Sequence, residues 1–142
     1  MKLAEKLAQM SDTQATKEEA VIKEIVNFFA KKFESGEMMD AFEKRLGKQD
    51  ICSRKKNIYL DFWTYIPGCS ETHFGLLGKK WNPENDHGYE HKGVNLKNIY
   101  KDVLCEIAEL TKENFEEEGF EVKIRPNEKN KRYETYIIEI SW

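Results

Sequence analysis

Several features that usually betray a chemistry are missing from this chain of 142 residues. It has three cysteines, Cys52, Cys69 and Cys105, an odd number, widely spaced and without a CxxC pair. That speaks against a disulfide framework or a zinc ribbon and for reduced thiols in a cytoplasm. Basic residues do not dominate: 23 Lys and Arg face 26 Asp and Glu, for a formal net charge of -3. The global positive field of a dedicated DNA binder is therefore absent, although local patches remain open. No apolar run approaches a membrane span, and the opening "MKLAEKLAQMSD" has no signal-peptide core. There is no phosphate-binding glycine loop, no Ser-His-Asp set, no paired-carboxylate motif and no cofactor fingerprint. Repeats, linkers and low-complexity tracts are missing too. The expectation is a soluble cytoplasmic protein with no cofactor and no catalytic residues.

What is present suffices for one folded domain. Hydrophobic residues make up 39% of the chain and aromatics 12%, enough to pack a core at this length without disulfides or metal. Charged residues reach 35%, against about 25% in an average domain, so the surface is densely charged and mixed in sign.

Hydrophobic spacing supplies the elements. Leu3 and Leu7 stand one turn apart in a thin stripe, which predicts a short, fraying helix over residues 2–10 within a loosely held segment 1–15. "SDTQATKEE" then reads as punctuation, with Thr16 and Glu19 at capping-box spacing. Val21, Ile22, Ile25, Phe28, Phe29 and Phe33 form a broad stripe at about 100° per residue, the mark of a core helix. Ser35-Gly36 ends it. A shorter helix follows, carrying Met38, Met39, Phe42 and Leu46 and stopping at Gly47. In "KKNIYLDFWTYIPG" the period is two: Ile58, Leu60, Phe62 and Ile66 alternate with Tyr59, Asp61, Trp63 and Tyr65, as in a strand. "THFGLLGKKW" reads as its antiparallel partner, weakened by Gly75 and Gly78. Residues 95–118 return to helical spacing through Leu96, Ile99, Tyr100, Val103, Ile107, Leu110 and Thr111. Gly119 belongs just past that helix, with Phe120 folding back on Phe115 in a Schellman motif. The end of the chain is a hairpin: Phe120, Val122 and Ile124, then a polar turn, then Tyr136, Ile138, Ile140 and Trp142. The order α-α-β-β-α-β-β predicts an α+β domain around an antiparallel sheet of about four strands.

"EEEGFEVKI", a charged turn and a terminal "YIIEISW", together with "KEIVNFFAKKFESGE" near the start, resemble small phage and prophage proteins of unknown function from Gram-positive bacteria. These have an amphipathic helix, a strand, a helix and a final hairpin ending in Ile-Ser-Trp. Residues 55–93 are longer than that pattern allows. The resemblance implies an origin in a mobile element. It implies no activity and assigns no residue a role.

Within that longer region lies "WNPENDHGYEHKG", residues 81–93. Asp86, His87 and His91, with Glu84 or Glu90, are residue types that ligate a divalent metal, which would suit a metal-dependent hydrolase. The four-residue spacing of His87 and His91 puts both on one face only in a helix, and Gly88 and Gly93 argue against a helix. The stretch is not HExxH. It resembles the opening of an HNH nuclease motif, but residues 96–118 hold no further histidine. The plain reading is a solvated connection. The functional one is a protein-partner-binding loop formed by Trp81, Glu84, Asp86, His87, Tyr89 and His91, because loops of about a dozen residues in small domains are often functional. No metal is expected.

Other candidates are weaker. Cys69 and His73 would make a thiolate-imidazole pair, but sit together in what reads as a turn. Cys105 lies opposite the apolar stripe of its helix; free cysteines are usually buried, so residues 2–10 or a second copy of the chain should cover it. Tyr59, Trp63 and Tyr65, joined by Tyr133 and Ile137, could stack unpaired bases, with Lys55, Lys56, Lys131 and Arg132 near phosphates. The order of elements is not the βαββαβ of an RNA-recognition motif. Helices on both sheet faces would bury these aromatics, and burial is the expectation. Glu113, Glu116, Glu117 and Glu118 crowd the helix end that disfavours anions, which reads as a solvated face or a patch for a basic partner.

Overall fold

The computed structural model describes residues 2–48, 56–64, 73–83, 90–126 and 135–142, without the side chains of 48, 61–64 and 135. Three helices and an antiparallel sheet make an α+β fold. Helix α1 (Leu3–Glu34) and helix α2 (Glu37–Lys48) come first. Strands β1 (Asn57–Thr64), β2 (Phe74–Leu76) and β3 (Lys79–Trp81) follow, then a small ribbon of β4 (Glu90–His91) and β5 (Val94–Asn95). A 3₁₀ turn (Leu96–Asn98) leads into α3 (Tyr100–Glu117), and β6 (Glu121–Pro126) and β7 (Thr135–Ser141) close the chain.

Five strands form the main sheet, in the order β3-β2-β1-β7-β6. Register explains the core. Ile140 pairs with both Ile58 and Val122, and Ile138 with both Leu60 and Ile124. Alternation turns these side chains to one face, where they meet Val21, Ile25, Phe29 and Phe33 of α1 and Val103, Leu104, Ile107 and Phe115 of α3. Met38 and Phe42 of α2 complete the interior.

Two expectations of helix organisation need correction. The helix of residues 2–10 and the core helix are one continuous 32-residue α1. No capping box forms at Thr16: its hydroxyl donates back to the carbonyl of Asp12 at 2.9 Å, and Thr13 does the same to Gln9. Back-bonding lets these residues stay within a helix rather than start one. Further on, the predicted helix from residue 95 divides into the 3₁₀ turn, capped by the Asn95 side chain on Lys97 N–H, and then α3. At the other end of α3 the Schellman motif forms as expected. Gly119 takes φ +93°, Phe120 N–H donates to Phe115 C=O and Gly119 N–H to Glu116 C=O.

The sheet differs as well. "THFGLLGKKW" is not one strand but the hairpin β2–β3, because Leu77 (φ 50°) and Gly78 (φ 79°) adopt the two positive φ values of a type I′ turn. The main sheet therefore has five strands rather than about four. Both helices pack on its core face, leaving Tyr59 51% exposed on the other, against the expectation of burial. Trp142 also lies outside the core, at 42% exposure, its N–H bonded to Lys56 C=O. Cys105 is exposed, with its Sγ 3.7 Å from the Tyr136 hydroxyl; residues 2–10 do not cover it, being exposed themselves.

Candidate functional site

The site is built where α1 passes the ribbon. His91 ends β4, and Lys92 (φ 51°) and Gly93 (φ 78°) form a second type I′ turn. Glycine takes the second left-handed position cheaply, and Lys92 accepts the first at some strain. This tight reversal pairs His91 with Val94, and both side chains are buried. It also presents the His91 ring and the Lys92 amine to the same side of α1.

Both meet Glu24. His91 Nε2 lies 2.5 Å from one Glu24 carboxylate oxygen, and Lys92 Nζ bonds to the other. Burial alone would push the Glu24 carboxyl up, but the hydrogen bonds from Lys92 and His91, with their charges, outweigh it and hold the group below its usual 4.5. Glu24 is thus ionised at neutral pH and can only accept, so His91 Nε2 carries the hydrogen between them. The Trp81 ring stacks edge-on against the imidazole, at 5.1 Å between centroids and 86° between planes, and packs on Phe74 from behind.

Beside this clasp opens a cleft of about 470 Å³. Glu24, Asn27, Phe28, Lys31 and Lys32 of α1 form one wall, and Trp81, Asn82 and His91 the other. Lys32 is committed: it pairs with Glu37 at 2.9 Å and its Nζ stands 5.4 Å from the Phe28 ring centre. Lys31 is exposed and makes no ion pair among the described residues. The cleft thus offers an aromatic floor, two amides at the rim and, at Lys31, a cation open to a ligand.

The structure brings together two of the six residues expected to bind a partner, Trp81 and His91. Glu84, Asp86, His87 and Tyr89 lie outside the described residues. Trp81 and His91 are not part of a solvated connection, as the plain reading had it; they are buried, at 8% and 4% exposure. The periodicity of the ribbon, only two residues per strand, is too short to register in the sequence. The α1 wall was missed altogether. Its signal was Glu24, an acid set at the margin of the Val21–Ile25–Phe28 stripe, where a solvated face would begin.

As for the other candidates, His73 is buried and Cys69 lies outside the described residues. On the open sheet face, Tyr59 pairs across the strands with Glu139, which pairs in turn with Lys123. The hydrogen bond to Glu139, with its charge, raises the Tyr59 phenol above its usual range, and the same bond lowers the Glu139 carboxyl. Asn57 Nδ2 also donates to Glu139, at 3.2 Å. Tyr65, Tyr133, Lys131 and Arg132, and the side chain of Trp63, lie outside the described residues. The four glutamates ending α3 are exposed, with a single long ion pair, Lys112–Glu116 at 3.9 Å, among the described residues. Among the described residues, no three His, Cys, Asp or Glu gather as a metal site would require, and no helix is long and apolar enough to cross a membrane. Compared with protein-family models, curated proteins and solved structures, the chain matches none.

Proposed function

We propose that this protein acts by binding a protein partner, without catalysis, and that the partner lays an acidic, partly apolar segment into the cleft between α1 and the Trp81–His91 region. The observation that carries this is the division of charges at the cleft. Glu24 is satisfied by His91 and Lys92, and Lys32 by Glu37, whereas Lys31 stands exposed beside Phe28. A carboxylate placed at Lys31 gains a charge-assisted bond, while an apolar neighbour covers the Phe28 and Trp81 rings. Asn27 and Asn82 offer donors and acceptors to an extended backbone. Among the described residues the lining holds no Ser, Thr or Cys that could act as a nucleophile, and its imidazole is held by a carboxylate. The setting follows the sequence resemblance: an accessory protein of a phage or mobile element, working in the cytoplasm.

Selection from a displayed random-peptide library tests this. Peptides retained by the chain should be enriched in Asp or Glu beside an apolar residue. They should bind Lys31→Glu at least about tenfold more weakly, the usual effect of removing one charge-assisted hydrogen bond. Selected peptides that bind Lys31→Glu equally well would remove the cleft from consideration.

A second reading has one observation in its favour. Tyr59 of β1 stands half exposed on the sheet face away from the helices, with the exposed Lys123 and Arg125 two strands away on β6, as a platform for single-stranded nucleic acid would require. Glu139 and Glu121 share that face and oppose phosphate. Fluorescence anisotropy with a labelled oligonucleotide at low salt decides it: binding unchanged in Tyr59→Ala would sink this reading.

A further inference from the structure

Strand β6 is an edge of the main sheet: among the described residues, β7 is the only strand it pairs with. Which of its backbone groups face outward follows from its neighbours. Trp142 N–H donates to Lys56 C=O, so even-numbered residues along β7 turn their backbone groups toward β1. Ile137, Glu139 and Ser141 turn theirs toward β6, where they pair with Arg125, Lys123 and Glu121. Pro126 agrees. It has no N–H and cannot exchange two bonds with Tyr136, so the two stand opposite without hydrogen bonds. Val122 and Ile124 therefore direct N–H and C=O away from β7, and Pro126 directs its C=O the same way.

A cleft of about 420 Å³ lies between this edge and α3. Cys105, Ala108 and Glu109 of α3 line one side, and Ile124 and Tyr136 of the sheet the other. Val122 is buried, Ile124 is half-buried, and Lys123, Arg125 and Pro126 are exposed, so the accessible stretch is residues 123–126. An antiparallel strand laid beside it exchanges two hydrogen bonds with Ile124 and donates a third to Pro126 C=O. The side chain opposite Ile124 shares its face and enters the cleft, against Ala108 and Tyr136.

Charge selects the occupant. The added residues opposite Lys123 and Arg125 stand on the face away from the helices, next to these two cations. Lys123 has Glu139 across from it in β7, so an acid on its other side extends a row of alternating charge. Arg125 has the uncharged Ile137 across from it, and an acid gives it a directly opposed charge. Glu121 calls for a base. A second copy of β6 centred on Ile124 sets Lys123 against Arg125 at both ends, the like-charge guard that edge strands commonly carry against self-pairing. We propose that β6 takes up an extended segment of a partner protein as an antiparallel sixth strand, reading acid, apolar residue, acid, any residue, base. This surface is separate from the cleft at Lys31 and does not depend on it.

The probe is a labelled peptide containing Glu-Val-Glu-Thr-Lys, titrated into the full chain and followed by fluorescence anisotropy. The surface is small, so the dissociation constant should lie between about 10 and 500 µM. A peptide with Lys-Val-Lys-Thr-Lys in its place should bind about tenfold more weakly or worse. The double variant Lys123→Glu, Arg125→Glu should reverse that preference. Both cations are exposed, so its thermal unfolding should match the parent. Methylating the valine nitrogen removes the donor to Ile124 C=O and should weaken binding about fivefold or more. Bound peptide should slow hydrogen exchange at Ile124 and leave Arg125, already bonded to β7, unchanged. Binding at β6 should survive Lys31→Glu, so the two surfaces report separately. Loss of all binding in Lys31→Glu overturns β6 and leaves the cleft reading standing. No binding at about 1 mM, or an unreversed preference in the double variant, also overturns the proposal. Equal binding of the methylated peptide overturns strand addition. Protection of Ile124 that grows with chain concentration alone makes a second copy the occupant and overturns the partner.

Discussion

Two places in this fold fasten a peripheral segment to the body, and they do so by opposite means. At the corner where α3 hands over to β6, the fastening is aromatic. Phe115 is fully buried, its ring centre 4.8 Å from that of Phe42 and 5.7 Å from that of Phe120. Phe33 and Trp142 extend the cluster. At the clasp, where the ribbon meets α1, the fastening is ionic: one carboxylate, Glu24, takes both His91 and Lys92. The corner draws on apolar area and edge-to-face rings, which answer neither to pH nor to salt. The clasp draws on charges that are partly exposed, with Glu24 33% and Lys92 65% open to solvent. Such pairs contribute little to global stability. The difference teaches that the corner holds the fold and the clasp positions the cleft wall.

The largest expected effect breaks the corner. Phe115→Ala should destabilise the domain by about 3–5 kcal/mol, the usual cost of emptying a buried phenylalanine site. Urea unfolding measures this. A loss under about 1 kcal/mol would mean that Phe42 and Phe120 collapse into the space, and that the corner is not the anchor of the fold.

A smaller effect should follow at the clasp. Glu24→Ala leaves the buried His91 Nε2 without its acceptor and removes the carboxylate from Lys92, at about 1–2 kcal/mol. The same change should raise hydrogen exchange at residues 90–95 while leaving the β1–β7 pairs protected. Loss of protection across the whole sheet would show that the clasp is part of the global cooperative unit.

The contrast also explains which parts of the molecule were legible in the sequence. The corner could be foreseen because its cause is local. Gly119 stands one residue before Phe120 and four after Phe115, and a glycine with positive φ at a helix end forces that reversal whatever lies around it. The faces of β1, β6 and β7 were readable for the same reason, since alternation is a property of each strand alone. The clasp joins residues 67 apart in sequence, so nothing local marks Glu24 as the partner of His91. The ribbon is two residues a side, too brief for a period. Its glycine, Gly93, correctly excluded a helix, but the turn it makes is what buries His91 rather than what exposes it. The continuity of α1 was missed because residues 11–19 look like punctuation by composition, while threonine back-bonding and helix-favouring neighbours carry the helix through. The exposure of Tyr59 was missed because alternation says which residues share a face and not how many layers the fold has.

The finest separation of the two fastenings is by pH. The Glu24 carboxyl sits below its usual 4.5 in the folded chain because His91 and Lys92 favour its charged form over the cost of burial. A depressed carboxylate adds stability that is present in full above the unfolded value and is lost as pH falls through the folded one. The parent should therefore exceed Glu24→Gln in stability at neutral pH, and the gap should close as pH falls through and below the ordinary carboxylate range, where Glu24 takes up its proton. Glutamine keeps an acceptor for His91, so what closes is the charge contribution alone. The other carboxylates titrate alike in both proteins and cancel in the difference. Phe115→Leu, which alters only the corner, should run parallel to the parent through the same range. If the gap between parent and Glu24→Gln is constant with pH, then packing of the side chain, not its charge, holds the ribbon to α1, and the clasp is a second corner under another name.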